Sequence, residues 1–137
     1  KRAGAVASLL RSSDVTFLVV TTADESAVDE TLFLVDRLKK LDLRVSGVIA
    51  NRVPALPPDP ESITDTQRVL SSRSPAEVEP FLEHLKVVVL ESTLASTSAE
   101  LNLQRLKIQS VTRIPMFRSD IHDVEHLSHV SAIFAEA

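Results

Sequence analysis

The chain has no cysteine, no tryptophan and no tyrosine, and only two glycines, Gly4 and Gly47, in 137 residues. Without cysteine there are no disulfides, no thiolate metal ligands and no cysteine nucleophile. Without tryptophan or tyrosine, and with a net charge of −4, there is neither an aromatic platform nor a basic surplus for nucleic acid. A phosphate cradle of the G-x-x-x-x-G-K-[ST] kind needs closely spaced glycines so that backbone amides can wrap an anion. Gly4 and Gly47 are 43 positions apart (47 − 4), so no such loop lies in this stretch. The G-x-S-x-G elbow and the G-x-G-x-x-G turn are likewise missing. No window approaches the roughly 18 uninterrupted apolar residues of a membrane span. These absences lead us to expect a soluble, cytoplasmic protein that neither enters a membrane nor binds nucleic acid.

What is present is a well-patterned α/β chain. Apolar residues make up 44% of it, enough for a core, and the length is that of one domain. Lys1 opens on what already reads as helix, which suggests a piece of a longer polypeptide. Residues 1–12 carry Val6, Leu9 and Leu10 on one side and end at Ser12-Ser13-Asp14. Val15 to Thr22 (VTFLVVTT) is a continuous β-rich run, as expected of a parallel strand covered on both faces. From Asp24 to Leu41 the three-and-four rhythm of Val28, Leu32, Val35 and Leu38 predicts a helix, with Ser26 and Asp29 at capping-box spacing. Val45 to Ala50 predicts a second strand, making residues 15–53 a βαβ unit.

Residues 54–60 (PALPPDP) hold four prolines and cannot be helix interior or central strand, so they form an exposed connector. Glu61 to Ser72 has weak helical character. Ser74, Pro75 and Glu77 mark a helix start. The run Lys86 to Glu91 (KVVVLE) suits a strand by composition, but its place in the spacing Phe81, Leu82, Leu85, Val88, Val89, Leu94, Leu101, Leu106 favours one long crossover helix over 74–107. Val111 to Ile114 predicts a third strand closed by Pro115, and residues 123–137 a final helix exposing His126 and burying Leu127, Val130 and Phe134.

Three features bear on chemistry. The run Val45-Ser46-Gly47-Val48-Ile49-Ala50-Asn51-Arg52-Val53 closes on asparagine where a buried strand ends, and ligands of open α/β sheets collect at carboxyl strand ends. An amide there can accept from the exocyclic amine of adenine and donate to the adjacent ring nitrogen; equally, asparagine can simply cap a strand and open a turn. Asp24 stands at the corresponding handover from the first strand, whereas Glu25, Asp29 and Glu30 suit the first turns of a helix on dipole grounds. The segment His122-Asp123-Val124-Glu125-His126 matches H-x-x-E-H, an inverted zinc-peptidase pattern that would make a zinc hydrolase of His122, Glu125 and His126. A solvated helix face explains it as well.

Taken together, Asp14 to Glu25, Glu30-Thr31, Val48-Ile49-Ala50-Asn51-Arg52 and Ile114-Pro115-Met116-Phe117-Arg118-Ser119-Asp120-Ile121-His122-Asp123 with Leu127 resemble, in order and spacing, the C-terminal part of the arsenite-pump and tail-anchored-protein-targeting ATPases, and bacterial members most. The resemblance implies the three-layer, parallel-sheet part of a deviant P-loop NTPase fold, here without the P-loop half. It implies ATP bound and hydrolysed by a dimer of like or unlike subunits, with a membrane-protein partner or a cargo, as in an anion-transporting ATPase. Asn51 would read adenine, Pro115, Met116, Phe117, Asp120 and Ile121 would wrap the base from the other side, and Asp24 would approach the nucleotide. Phosphates, magnesium and the attacking water would fall to an N-terminal part, leaving no catalytic residue here. An alternative is a non-hydrolysing nucleotide-binding or interaction module of the same fold. Departures from the pattern are Ala23-Asp24 where proline-glutamate is usual, and the absence of the cysteines that bind zinc or metalloid in some members. Glu30-Thr31 match a pair to which no role can be given.

Overall fold

A computed structural model describes residues 2–57, 59–117 and 120–136, apart from the side chains of residues 60–62 and 136. Its elements run α1 (Arg2–Leu10), β1 (Phe17–Thr22), α2 (Glu25–Lys40), β2 (Val45–Val53), α3 (Pro60–Leu70), α4 (Pro75–Gln104), β3 (Val111–Pro115) and α5 (Val124–Glu136). They cluster into two compact units, one comprising residues 1–53 and 99–137 and the other Pro54–Ser98.

The first unit is an α/β layer arrangement on a three-stranded parallel sheet of order β1-β2-β3. Register decides which side chains share a face. Val19 pairs with Val48 and Thr21 with Ala50, while Val48 pairs with Val111, so these residues point to one side of the pleat. That side meets Val28, Thr31 and Val35 of α2 and Ala99 and Leu103 near the end of α4, with Leu106 just beyond. Val28 and Ala50 are fully buried. Two further contacts tie the end of α4 down: Asn102 Nδ2 donates to the Ala23 carbonyl at 3.0 Å, and Arg113 pairs with Glu100 at 3.1 Å. Arg105 also pairs with Asp29 of α2.

The opposite side of β1 differs from expectation. Leu18 and Val20 are 60% and 64% exposed, so the strand is covered on one face rather than two, and it lies at an edge of the sheet. Composition alone cannot see this, because a β-rich run is written identically whether or not a second layer is at hand. For the same reason Leu127 and Phe134, expected to be buried, are exposed. α5 packs against β3, and one packed face does not cover every apolar residue of a helix. Val6 and Leu9 of α1 are exposed too.

Helix ends also depart from the pattern. The N-cap of α2 is Asp24, and Ser26, at capping-box spacing, lies inside the helix. The polypeptide turns in one residue after Ala23, placing the helix start two positions earlier than a serine cap would. At the other end Leu43 N donates to Leu38 O and Asp42 N to Lys39 O, a Schellman closure. Its left-handed position is Asp42, φ 58°, where glycine is usual.

The second unit is a pair of helices. α3 opens at Pro60, the last residue of the expected connector, because proline fits the first helical position, and α4 opens at Pro75 after Ser74, whose carbonyl accepts from Glu77 N and Val78 N. The ambiguous Lys86 to Glu91 is helical. Ile63 of α3 and Leu82, Leu85 and Val89 of α4 line an apolar groove of about 270 Å³. Among the described residues no helix is long and apolar enough to cross a membrane.

Candidate functional site

The apolar run of β2 ends in an irregularity that prepares a site. Ala50 pairs with Arg113 and Val53 with Pro115, so two residues of β2, Asn51 and Arg52, face one residue of β3. This is a β-bulge, a device that re-aims side chains at sheet ends. Arg52 takes a left-handed φ of 57°, a conformation that costs a non-glycine residue about 1 kcal/mol. It is held there by Asn51, whose Oδ1 accepts from Arg52 N at 3.0 Å. Beyond the bulge Met116 N donates to Val53 O at 2.8 Å, which carries the pairing on and draws the segment after β3 alongside.

The bulge and that segment enclose a cavity of about 550 Å³ at the carboxyl end of the sheet, within the usual span of small-molecule sites, about 300–1,000 Å³. Asn51, Pro115, Met116, Phe117, Asp120 and Ile121 all line it. Three residues join them that were not singled out from sequence: Arg52, Ile114 and Val130. Arg52 and Ile114 adjoin predicted residues, a usable signal; Val130 comes from α5 and had none beyond its apolar character. Arg118 and Ser119 of the same loop lie outside the described residues. Asp24 does not line the cavity. It is the exposed N-cap of α2, and its carboxylate makes no capping hydrogen bond.

The chemistry of the lining is mostly apolar with three polar groups. Ile114, Pro115, Met116, Phe117, Ile121 and Val130 form walls, and polarity comes from the Asn51 amide, the Arg52 guanidinium and the Asp120 carboxylate. Asn51 Oδ1 keeps a second lone pair after bonding Arg52 N, and Nδ2 has no hydrogen-bond partner among the described residues. The amide is thus oriented by one bond and still has an acceptor and a donor to offer. Such a set suits a flat heterocycle with adjacent donor and acceptor atoms.

On its other side Asn51 borders a hollow of about 380 Å³ along β1, together with Thr22, Glu30 and Leu34. Thr31, the companion of Glu30, is 4% exposed and packs in the core, which gives it a structural role. Thr21, likewise buried, has its hydroxyl 3.2 Å from the Ala27 carbonyl.

The histidine motif serves helix initiation. Asp123 Oδ1 accepts from His126 N at 2.8 Å and from His126 Nδ1 at 2.7 Å, so Asp123 caps α5 and the imidazole is turned onto the cap. The His126 amide first, and its ring second, hold the Asp123 carboxyl below its usual range. The rings of His122, His126 and His129 follow one another at 6.2 and 6.3 Å. Among the described residues no three His, Asp or Glu side chains converge in a way that could hold a metal ion.

Neither a scan of protein-family models nor a search of curated proteins finds a match to this chain.

Proposed function

We propose that this chain is the adenine-recognising C-terminal part of an ATPase of the arsenite-pump and tail-anchored-protein-targeting kind, with a deviant P-loop relationship for its α/β fold. The observation that carries the proposal is Asn51. Its amide stands on a bulge at the carboxyl end of β2, with Nδ2 unpartnered among the described residues, and lines one cavity with Pro115–Phe117. Adenine presents an amine donor beside a ring-nitrogen acceptor, which matches the two atoms of the amide. The apolar walls supply burial for the ring faces. Asp120 and Arg52 flank this zone as hydrogen-bonding groups for ribose or neighbouring polar atoms.

In this proposal the protein is cytoplasmic, works as a dimer of ATPase subunits, and receives its phosphate, magnesium and water-activating groups from a segment outside these residues. The residues present position the base and perform no bond-breaking step. A cargo or membrane-protein partner belongs to the same family-level proposal. The test is nucleotide selectivity: adenosine should perturb the Asn51 side-chain amide resonance, and guanosine should do so far less. Equal response to both nucleosides, or none at Asn51, refutes base recognition. If adenosine binds but the complete polypeptide hydrolyses no ATP, the non-hydrolysing module replaces the ATPase.

A further inference from the structure

At the opposite, amino end of the sheet the structure holds a larger cavity, about 760 Å³, lined by Lys39 of α2, Arg44 to Ser46 at the start of β2, and Lys107 to Ser110 between α4 and β3. Three of its lining residues are cationic and none is acidic, in a chain whose net charge is −4. Five other cations, Lys40, Arg68, Lys86, Arg105 and Arg113, each pair with a carboxylate. The side chains of Lys39 and Lys107 have no ion pair or hydrogen bond among the described residues. Arg44 is fixed by donating from Nη2 to the Ser13 carbonyl and, at 3.5 Å, to the Val15 carbonyl, which leaves its Nε and Nη1 N–H groups without a partner among the described residues.

Two backbone features show that the wall is built rather than incidental. Val48 N donates to Ser110 O at 2.9 Å, and the loop approaches so closely that a Cβ at Gly47 would stand 3.1 Å from that oxygen and 3.3 Å from Ser110 Cβ. Glycine at 47 is what lets Ser110 reach this position. Lys107 takes a φ of 36°, where glycine is the ordinary occupant. A lysine in this place puts a cation at the rim of a cavity with no acidic lining residue.

We infer that this cavity binds a small polyanion bearing clustered phosphate groups, with Lys39, Lys107 and Arg44 as charge partners and Ser46, Gln109 and Ser110 as hydrogen-bonding groups. The site is separate from the adenine proposal, since it sits at the other end of the strands and shares no residue with the Asn51 cavity. Pyrophosphate represents the free form of this chemistry, and a phosphoinositide headgroup the lipid form.

The test is calorimetric titration of the 137-residue chain with pyrophosphate at low ionic strength. Saturable binding is expected, weakened roughly tenfold by Lys39→Gln and again by Lys107→Gly, the scale of one charge-assisted contact each. Lys107→Gly carries a second readout, because it removes backbone strain: its thermal midpoint should rise while its affinity falls. Vesicles of phosphatidylcholine with and without phosphatidylinositol bisphosphate distinguish the sources. Headgroup-dependent co-sedimentation lost in both variants assigns a lipid, and pyrophosphate binding without co-sedimentation assigns a free phosphate compound. Absence of binding to either probe overturns the inference. So does parental affinity in both variants, or a pyrophosphate response confined to amides around Asn51.

Discussion

Asn51 has two separable jobs, and one substitution divides them. Its Oδ1 braces the left-handed Arg52 through a 3.0 Å hydrogen bond, and its Nδ2 is the proposed donor to adenine. Asn51→Asp retains an acceptor for Arg52 N but replaces the donor with oxygen. Asn51→Ala removes both. A neutral hydrogen bond of this kind contributes about 0.5–1.5 kcal/mol, so the alanine variant should lose that much unfolding free energy while the aspartate variant loses little. For recognition, a bidentate amide–base pair discriminates by about 1–3 kcal/mol, equivalent to roughly 5- to 150-fold in affinity. Both variants should therefore lose adenosine preference. The aspartate should gain guanosine, whose two adjacent N–H donors suit a carboxylate. Urea unfolding measures the first effect, and titration with the two nucleosides followed by amide spectra measures the second. Adenosine bound equally by parent and Asn51→Asp would refute the assignment. Equal destabilisation by both substitutions would refute the bracing role.

Three further outcomes follow from the geometry. Asp42→Gly, at the left-handed position closing α2, should stabilise the chain by about 0.5–1 kcal/mol; a lowered thermal midpoint would show that Asp42 is held by something other than the helix closure. Leu106→Ala removes one of the largest fully buried side chains, 2% exposed, and should cost about 2–5 kcal/mol in urea unfolding, with a loss under about 1 kcal/mol counting against its place in the core. Asp123 has its carboxyl held low in the folded state by His126, so the cap's contribution is present above the ordinary aspartate range, about 3.9, and disappears as pH falls through the depressed value. Hydrogen exchange at the His126 amide should accelerate, relative to the intrinsic rate, in that acid window for the parent and not for Asp123→Asn; matching pH profiles would remove the ionic part of the cap.

Much of the layout was legible because it is written locally. The rhythm of Val28, Leu32 and Val35 specifies a helix wherever it occurs, and α2 formed there. The stretch ending in Asn51 looked like a strand closing at a ligand edge, and β2 runs through it to Val53. Pro115 closes β3 as a residue that cannot donate to a ladder should. Other features depend on partners distant in the chain. Nothing in VTFLVVTT distinguishes one covered face from two. Ser26 with Asp29 had the spacing of a capping box, but the path of the chain out of β1 gave the cap to Asp24. His122 to His126 matched a metal pattern in letters, while the fold spends Asp123 and His126 on starting α5.

The sequence by itself determined the kinds and order of elements in the α/β unit, the proline-rich break after β2, and the identity of Asn51 as the polar residue that ends the apolar run of the central strand. These follow from periodicity, β-branching and proline geometry, which act over a few residues. Only the tertiary structure decided that Asn51 shares a cavity with Pro115–Phe117, Asp120 and Ile121, that Arg52 must adopt a left-handed conformation beside it, and that Lys39, Arg44 and Lys107 gather at the other end of the sheet. Each of these depends on the register of strands more than 50 residues apart (β2 and β3, 111 − 53 = 58). A single extra residue in one strand turns the side chains that follow toward a different face, and no local pattern records that choice.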